Sequence, residues 1–303
     1  MKEFKNDFSW SISRDDTFRK CRRMYYFQYY GSWGGWDLAS DKRTRAIYIL
    51  KHLQNKQMWA GSKVHECIKN ALSKIKAGIG KIDTEQKIET TLDLMRKEFL
   101  SSKYKKYLKD PKTCALFEHE YGFEVSKEEW QSNADNVVEC LKQFFNSDVY
   151  KEVSQLSDNQ WLELEKFPFF YIKDLKIYAA LDFAFRKNDE IFIYDWKTGR
   201  EDPDKDKFQL ACYGLFATDR WKIKGDKVKL VDFYLSSGNQ NELSLENFKT
   251  DEIHDQIMNS INEMLDLLDS PQENIAAEDR FHFTENQQIC NYCNFKKICT
   301  KRA

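Results

Sequence analysis

The chain has 303 residues, enough for an α/β core with added helices, and only 4 prolines and 11 glycines, which argues against long disordered linkers. It has no apolar run of about 18 residues and no apolar signal segment, so the sequence predicts a cytoplasmic protein without a membrane span. The net charge of −1 excludes neither a basic groove nor a nucleic-acid partner, because charge can be unevenly distributed.

The first 160 residues are predicted to be mainly helical. Ser11 precedes a helix with aromatic packing, and the apolar spacing over 58–77 predicts a second helix that ends at glycines. Amphipathic stretches follow at about 84–99 and 133–145. We divide the chain into an N-terminal segment (1–57), a helical region (58–160), a core (161–250) and a C-terminal helix with a cysteine segment (251–303).

From residue 161 the pattern changes to short runs rich in aromatic and β-branched residues, which are typical of strands. The predicted strands span 161–170, 177–186, 191–196 and 228–235, with helices at 207–218 and 253–268. The tail from 276 onward is predicted to be irregular. This order predicts an α/β fold with a central mixed sheet flanked by helices and a helical insert before it.

Two neighbouring predicted strands each carry one carboxylate among apolar residues. Asp182 lies on the first, and Asp195 and Lys197 share one side of the second because strand side chains alternate. Two carboxylates can hold Mg²⁺ or Mn²⁺, and an ammonium group can steer a water or bind a phosphate oxygen. The alternative interpretation is a buried Asp195–Lys197 salt bridge with Asp182 in a turn.

These residues resemble the PD-(D/E)xK nuclease superfamily, in which an acid precedes a strand ending in (D/E)-x-K. Two further segments resemble its RecB-like branch: Gly61 to His65 looks like the G-x-x-x-H helix, and Gln209 to Tyr213 looks like the Q-x-x-x-Y helix. The resemblance implies a restriction-endonuclease-like core. One departure is Ala179, where the family commonly has a glycine three residues before the first acid.

The resemblance also implies roles for individual residues. His65, Asp182 and Asp195 would bind the metal ion, with the backbone carbonyl of Trp196 as a further ligand. Lys197 would serve the nucleophile and the transition state. Gln209 and Tyr213 would guide the DNA. The alternative for these two residues is a packing role, and the alternative for His65 is an ordinary helix-face histidine.

The eight cysteines fall into two sets, and we expect reduced thiols in a chain without an export signal. One set sits singly among apolar neighbours and is predicted to be buried: Cys67, Cys114, Cys140 and Cys212. The other includes Cys290, Cys293 and Cys299 in C-x₂-C-x₅-C spacing, which is typical of a metal site. Because soft tetrahedral sites for zinc or iron–sulfur take four ligands, Cys21 is the candidate for the fourth.

One upstream cysteine and three near the C-terminus resemble the arrangement in iron–sulfur nucleases of the RecB-like group, such as the AddB nuclease domain and the CRISPR-associated exonucleases. The resemblance implies a structural [4Fe-4S] cluster that joins the N- and C-terminal parts of the chain. Zinc in the same four thiolates is the alternative.

Taken together, the sequence predicts a Mg²⁺- or Mn²⁺-dependent deoxyribonuclease, an exonuclease acting on single-stranded DNA or strand ends in DNA repair, recombination or CRISPR adaptation. The chain has no G-x-x-x-x-G-K-[ST] motif, so a helicase partner, like other repair or CRISPR proteins, would be a separate chain. The alternatives are a non-catalytic DNA-binding scaffold of a repair complex and a nuclease directed at RNA.

Overall fold

The computed structural model describes residues 5–80 and 82–299, so the outer ends of the predicted 1–57 and 251–303 segments lie outside the described residues. The helices are α1 Ile12–Lys20, α2 Arg22–Tyr26, α3 Lys42–Leu50, α4 Lys56–Lys76, α5 Thr84–Lys103, α6 Phe117–Tyr121, α7 Lys127–Asn146, α8 Asp148–Val153, α9 Pro203–Trp221, α10 Thr250–Leu265 and α11 Gln287–Asn291, with a π-helical turn at Phe27–Gly31 after α2. None of these helices is both long and apolar enough to cross a membrane.

Capping side chains fix where the predicted helices begin. Ser11 accepts a hydrogen bond from the Arg14 amide at 3.2 Å, as expected for the first helix. Asn55 caps α4 by accepting a hydrogen bond from the Met58 amide, so the helix begins at Lys56, two residues before the predicted start. Helix α7 begins at a capping box between Ser126 and Glu129, earlier than its apolar pattern indicated.

A five-stranded sheet forms the centre of the molecule, and two further strands form a separate hairpin. The strands are β1 Trp161–Lys166, β2 Phe169–Ile172, β3 Leu175–Tyr178, β4 Leu181–Lys187, β5 Glu190–Lys197, β6 Val228–Tyr234 and β7 Asn239–Ser244. The order in the sheet is β1-β4-β5-β6-β7, and the hairpin is formed by β2 and β3. Strands β5 and β6 are parallel and are connected through α9, whereas the other pairs are antiparallel, so the predicted mixed sheet is confirmed.

The predictions of a single strand at 161–170 and of a single strand at 177–186 were wrong, because each of these segments contributes to two strands. The first breaks at Phe167 and Pro168, because proline has no amide hydrogen for the ladder. The second breaks where the Ala179 amide donates to the Pro168 carbonyl at 2.9 Å. Strand β7 was not predicted, because its polar edge sequence is held by main-chain pairing with β6 rather than by an apolar pattern.

Apolar side chains fill both faces of the sheet. On one face, α9 and α10 cover Ile191 and Ile193 of β5. On the other, α4 and α7 of the helical insert cover Phe183 and Trp196. A third, smaller core combines residues from distant parts of the chain, including Phe27, Leu53, Tyr107, Phe117 and Phe295.

Candidate active site

The two predicted acids lie on adjacent antiparallel strands. Asp182 is on β4 and Asp195 on β5, where Phe183 pairs with Tyr194. The Asp182 Oδ2 atom accepts a hydrogen bond from the Trp196 amide at 2.7 Å, which links it directly to the Asp-x-Lys strand. The placement of Asp182 in a turn is therefore wrong, although the other half of that alternative, an Asp195–Lys197 ion pair, is present at 2.8 Å.

Helix α4 brings His65 to the first of these acids. Its Nδ1 atom lies 3.1 Å from Asp182 Oδ1 and 3.4 Å from Glu165 Oε1. One ligand atom from each of these three residues lies within 4.8 Å of the others, so the group could hold a metal ion. Glu165 was not predicted. The available signal was the alternation of Glu163 and Glu165 with leucines in β1. Glu165, however, reaches His65 from a left-handed backbone conformation, with φ of 45°.

Like charges crowd this group. Burial raises the pKa of Asp182 to about 6, with the nearby Asp195 contributing and His65 opposing the shift. Burial by itself lowers the pKa of His65, but the adjacent Asp182 and Glu165 carboxylates outweigh it and raise that pKa well above 6.5. A divalent cation placed among these ligand atoms would relieve the repulsion between the carboxylates.

The ammonium group of Lys197 sits in a second acidic group beside the first. Its Nζ lies 2.8 Å from Asp195 Oδ2 and 3.2 Å from Asp206 Oδ1, and it donates to Gln209 Oε1 at 2.9 Å. Burial lowers the pKa of Lys197, but the carboxylates, Asp195 foremost, raise it above its usual value. Lys197 is therefore positively charged at neutral pH.

Asp232 is a further acid that sequence reasoning missed. It lies on β6 directly opposite Asp195 in the parallel register, and it is fully buried. Neither of its oxygens has a hydrogen-bond partner among the described residues, and the Lys197 Nζ is 3.7 Å away. Burial raises the pKa of Asp232 to about 7, while Lys197 opposes the shift.

Gln209 and Tyr213 of α9 both contact Asp195. The Gln209 side-chain amide donates to Asp195 Oδ1 at 3.0 Å, and the Tyr213 hydroxyl lies 3.0 Å from the same oxygen. That hydroxyl also lies 2.7 Å from the Ala180 carbonyl. Since Tyr213 is buried, the two residues position the Asp195 carboxylate from the helix side.

Steric contact explains why glycine occupies position 61 of the G-x-x-x-H segment. A Cβ atom at Gly61 would lie 2.9 Å from the Thr198 hydroxyl oxygen, so glycine lets α4 approach the segment that follows Lys197. At the other family position, Ala179 is buried and has no positive φ. Its departure from glycine therefore requires no left-handed backbone.

The four cysteines predicted as metal ligands all line one cavity of about 80 Å³: Cys21, Cys290, Cys293 and Cys299. Within residues 5–80 and 82–299, no three cysteine sulfur atoms lie within 4.8 Å of one another. The Phe295 amide donates to the Cys293 sulfur at 3.4 Å, and burial raises the pKa of Cys293 to about 12. In the other set, Cys67, Cys140 and Cys212 are buried as predicted, while Cys114 is half-buried.

A family model described as the PD-(D/E)XK nuclease superfamily matches residues 9–300, which is nearly the whole chain. The chain belongs to the PD-(D/E)XK nuclease superfamily. No curated protein matches it.

Members of the PD-(D/E)XK superfamily are phosphodiesterase nucleases that use divalent metal ions. The mixed five-stranded sheet with flanking helices is consistent with their core. The assignment of Asp182 as the first acid, and of Asp195 and Lys197 as the (D/E)-x-K pair, stays a prediction from the sequence order of these residues.

Proposed function

We propose that this protein is a Mg²⁺- or Mn²⁺-dependent deoxyribonuclease. The observation that carries the proposal is the convergence of His65, Glu165 and Asp182 on one point, directly beside the Asp195–Lys197 pair. Four of these side chains line one cleft: His65 of α4, Asp182 of β4, and Asp195 and Lys197 of β5. The Glu165 carboxylate of β1 lies 3.4 Å from the His65 Nδ1 atom. A purely structural salt bridge between Asp195 and Lys197 would not require His65, Glu165 and Asp182 to lie beside it.

The donor set suits a hard cation. Carboxylate oxygens of Asp182, Asp195 and Glu165, the His65 imidazole and the Trp196 carbonyl would hold the ion, and oxygen-rich sets favour Mg²⁺ and Mn²⁺. A bound ion of this kind lowers the pKa of a coordinated water and offsets charge on the phosphoryl group. Glu165 extends the ligand set that the family resemblance implied.

Lys197 would act on the substrate from the other side of Asp195. Its ammonium group remains protonated because carboxylates surround it, so it can orient the attacking water or bind a non-bridging phosphate oxygen. Gln209 and Tyr213 keep Asp195 in place through its Oδ1 atom, which leaves Oδ2 next to Lys197. Gln209 and Tyr213 would act on the DNA in two ways, by holding Asp195 in position and by lining the cleft.

The proposed substrate is DNA that is single-stranded or has free ends, degraded as an exonuclease in repair, recombination or CRISPR adaptation. Support comes from the resemblance of the His65 and Gln209–Tyr213 segments to the RecB-like branch. A helicase or other repair or CRISPR proteins would be partners on separate chains.

The test compares the native protein with Asp182→Ala on labelled linear single strands, linear duplex, closed circular duplex and RNA, with Mg²⁺ or Mn²⁺. We expect the native protein to degrade linear DNA and Asp182→Ala to be inactive. Asp219→Ala is the matched control, because Asp219 is a half-exposed acid at the end of α9 that pairs only loosely with Lys222. Cleavage by Asp182→Ala would refute the mechanism, cleavage of RNA alone would change the substrate, and binding without cleavage would identify a scaffold.

We further propose that Cys21, Cys290, Cys293 and Cys299 hold a [4Fe-4S] cluster. Support comes from the cavity that all four cysteines line. The choice of iron–sulfur over zinc rests on the resemblance of the cysteine arrangement to that of the RecB-like iron–sulfur nucleases.

The absorption spectrum of anaerobically purified protein tests this assignment. A broad visible band that disappears in Cys293→Ser and persists in Cys114→Ser is expected. A colourless protein with stoichiometric zinc would assign the site to zinc instead.

A further inference from the structure

The β2–β3 hairpin carries an aromatic surface that the core does not use. Its inner side is buried, and the Phe170 ring there lies 6.3 Å from Phe216 of α9. Strand alternation and the cross-strand pairing of β2 with β3 put the remaining side chains on the outer side. This outer side, which we call the hairpin face, consists of Phe169, Tyr171, Lys176 and Tyr178.

The side chains of the hairpin face form one contiguous group. The Phe169 ring lies 5.6 Å from Tyr171 and 5.9 Å from Tyr178, and the Lys176 Nζ sits 4.7 Å from its centre. Phe169 and Tyr171 are 44% and 55% exposed, and Phe167, just before the hairpin, is 74% exposed. Isolated exposed aromatic residues are ordinary, but an adjoining group of this size is typical of an interaction surface.

The hairpin is inserted directly between two residues of the metal-binding group. Phe167 follows Glu165 by two residues and Tyr178 precedes Asp182 by four, so the chain limits their Cα separations to roughly 7 Å and 14 Å. At the base of the hairpin, the Ala180 carbonyl also contacts the Tyr213 hydroxyl. A ligand lying on the hairpin face is therefore a short distance from the site of cleavage.

The charge of this segment suits an anionic ligand. Residues 166–178 contain three lysines and one aspartate, a net charge of +2 (3 − 1), in a chain whose net charge is −1. Lys166 pairs with Glu163 at 3.2 Å but is still 65% exposed, and Lys173 lies at the exposed tip of the hairpin. Exposed aromatic rings next to lysines are the combination that binds unpaired bases by stacking and their phosphates by charge.

We propose that the hairpin face is a stacking platform for single-stranded nucleic acid that leads a strand into the cleft. Bases inside a duplex are already stacked on one another, so the platform selects unpaired strands or frayed ends. This inference rests on the proposed nuclease function and specifies its substrate.

The test measures binding of a fluorescein-labelled oligothymidine, the matching oligouridine and a closed, end-free duplex by anisotropy in EDTA, which prevents cleavage. The variant Phe169→Ala/Tyr171→Ala removes the two exposed rings. Tyr104→Ala/Leu108→Ala, on the helical insert, is the matched control, because those side chains are 71% and 51% exposed. Phe169→Trp/Tyr171→Trp keeps the stacking surfaces.

We expect the alanine variant to bind oligothymidine at least about tenfold more weakly, because each stacked base contributes substantially to affinity. Its duplex affinity and melting temperature should stay unchanged, and the tryptophan variant should bind like the native protein. In a separate cleavage assay with Mg²⁺, the alanine variant should show a raised KM for a single strand at an unchanged kcat. A parallel loss with oligouridine would show that the platform accepts RNA as well as DNA.

Equal affinities of the native and alanine proteins, or equal losses on single strands and duplex, would overturn the platform. Loss of self-association without loss of oligonucleotide binding would assign the face to a protein partner and likewise overturn it. A native protein that binds through the hairpin face but cleaves nothing would refute the proposed function alone, whereas cleavage unaffected by the variants would refute this inference alone. A native protein that neither binds nor cleaves would refute both.

Discussion

The buried carboxyl group of Asp232 should make stability depend on pH in a way that one substitution removes. Its pKa is raised from 3.8 to about 7 in the folded protein, chiefly by burial, and returns to its ordinary value in the unfolded chain. Between these values the folded state binds more protons than the unfolded state. The free energy of unfolding therefore falls as the pH rises through this window.

The size of the effect follows from the two pKa values. Between about pH 5 and about pH 8, the contribution of this carboxyl to the free energy of unfolding falls by about 2.6 kcal/mol. Asp232→Asn keeps the shape of the side chain but cannot ionise, so its stability relative to the native protein should rise by this amount over the interval. Urea denaturation in EDTA, with no divalent ion bound, measures the difference at each pH.

Asp219→Asn, at the half-exposed end of α9, is the control and should show no such trend. A difference between Asp232→Asn and the native protein that stays constant would contradict the reasoning. A difference that shrinks as the pH rises would show that Asp232 is ionised in the folded protein and neutralised by Lys197.

Three further substitutions test the geometry of the site. Lys197→Met keeps the side-chain length but removes the charge, so kcat in single-turnover cleavage should fall about 10²- to 10³-fold; a loss of less than about threefold would exclude the assigned role. Glu165→Gln should raise the Mg²⁺ concentration for half-maximal cleavage by about 10- to 100-fold, and an unchanged titration would remove Glu165 from the ligand set. Gly61→Ala pushes a methyl group against Thr198 and should cost about 1–3 kcal/mol in urea denaturation, with lower cleavage; native stability would show that α4 can move away freely.

The parts of the site that depend on local pattern could be predicted from the sequence. Strand alternation alone places Asp195 and Lys197 on one face of β5, and the preceding strand, β4, supplies Asp182 across a short turn. Glu165 could not be predicted because its contact with His65 joins residues 100 positions apart (165 − 65). Asp232 could not be predicted because it approaches Lys197 only through the parallel pairing of β5 with β6. These two strands are separated in the sequence by the crossover helix α9.

The fold shows the same division. Helices α4 and α9 could be located from their apolar spacing. The Asn55 cap sets the start of α4, and α9 spans Pro203–Trp221 rather than the predicted 207–218. The β2–β3 hairpin was merged into longer predicted strands because aromatic residues continue across Pro168, and only tertiary pairing shows where the chain turns. Strand β7 carries almost no apolar signal, since its partner strand supplies the hydrogen bonds.

The third core can be completed only late in translation. It needs Phe27 from the start of the chain, Phe117 from the helical insert and Phe295 from near residue 299, and a ribosome makes these parts successively. The apolar surface of Phe27 therefore stays exposed until Phe295 has been translated. The same holds for the cavity beside Cys21, because residues of the C-terminal segment form its other wall. The last strand of the sheet ends at Ser244, whereas the third core can be completed only after Phe295 has been made.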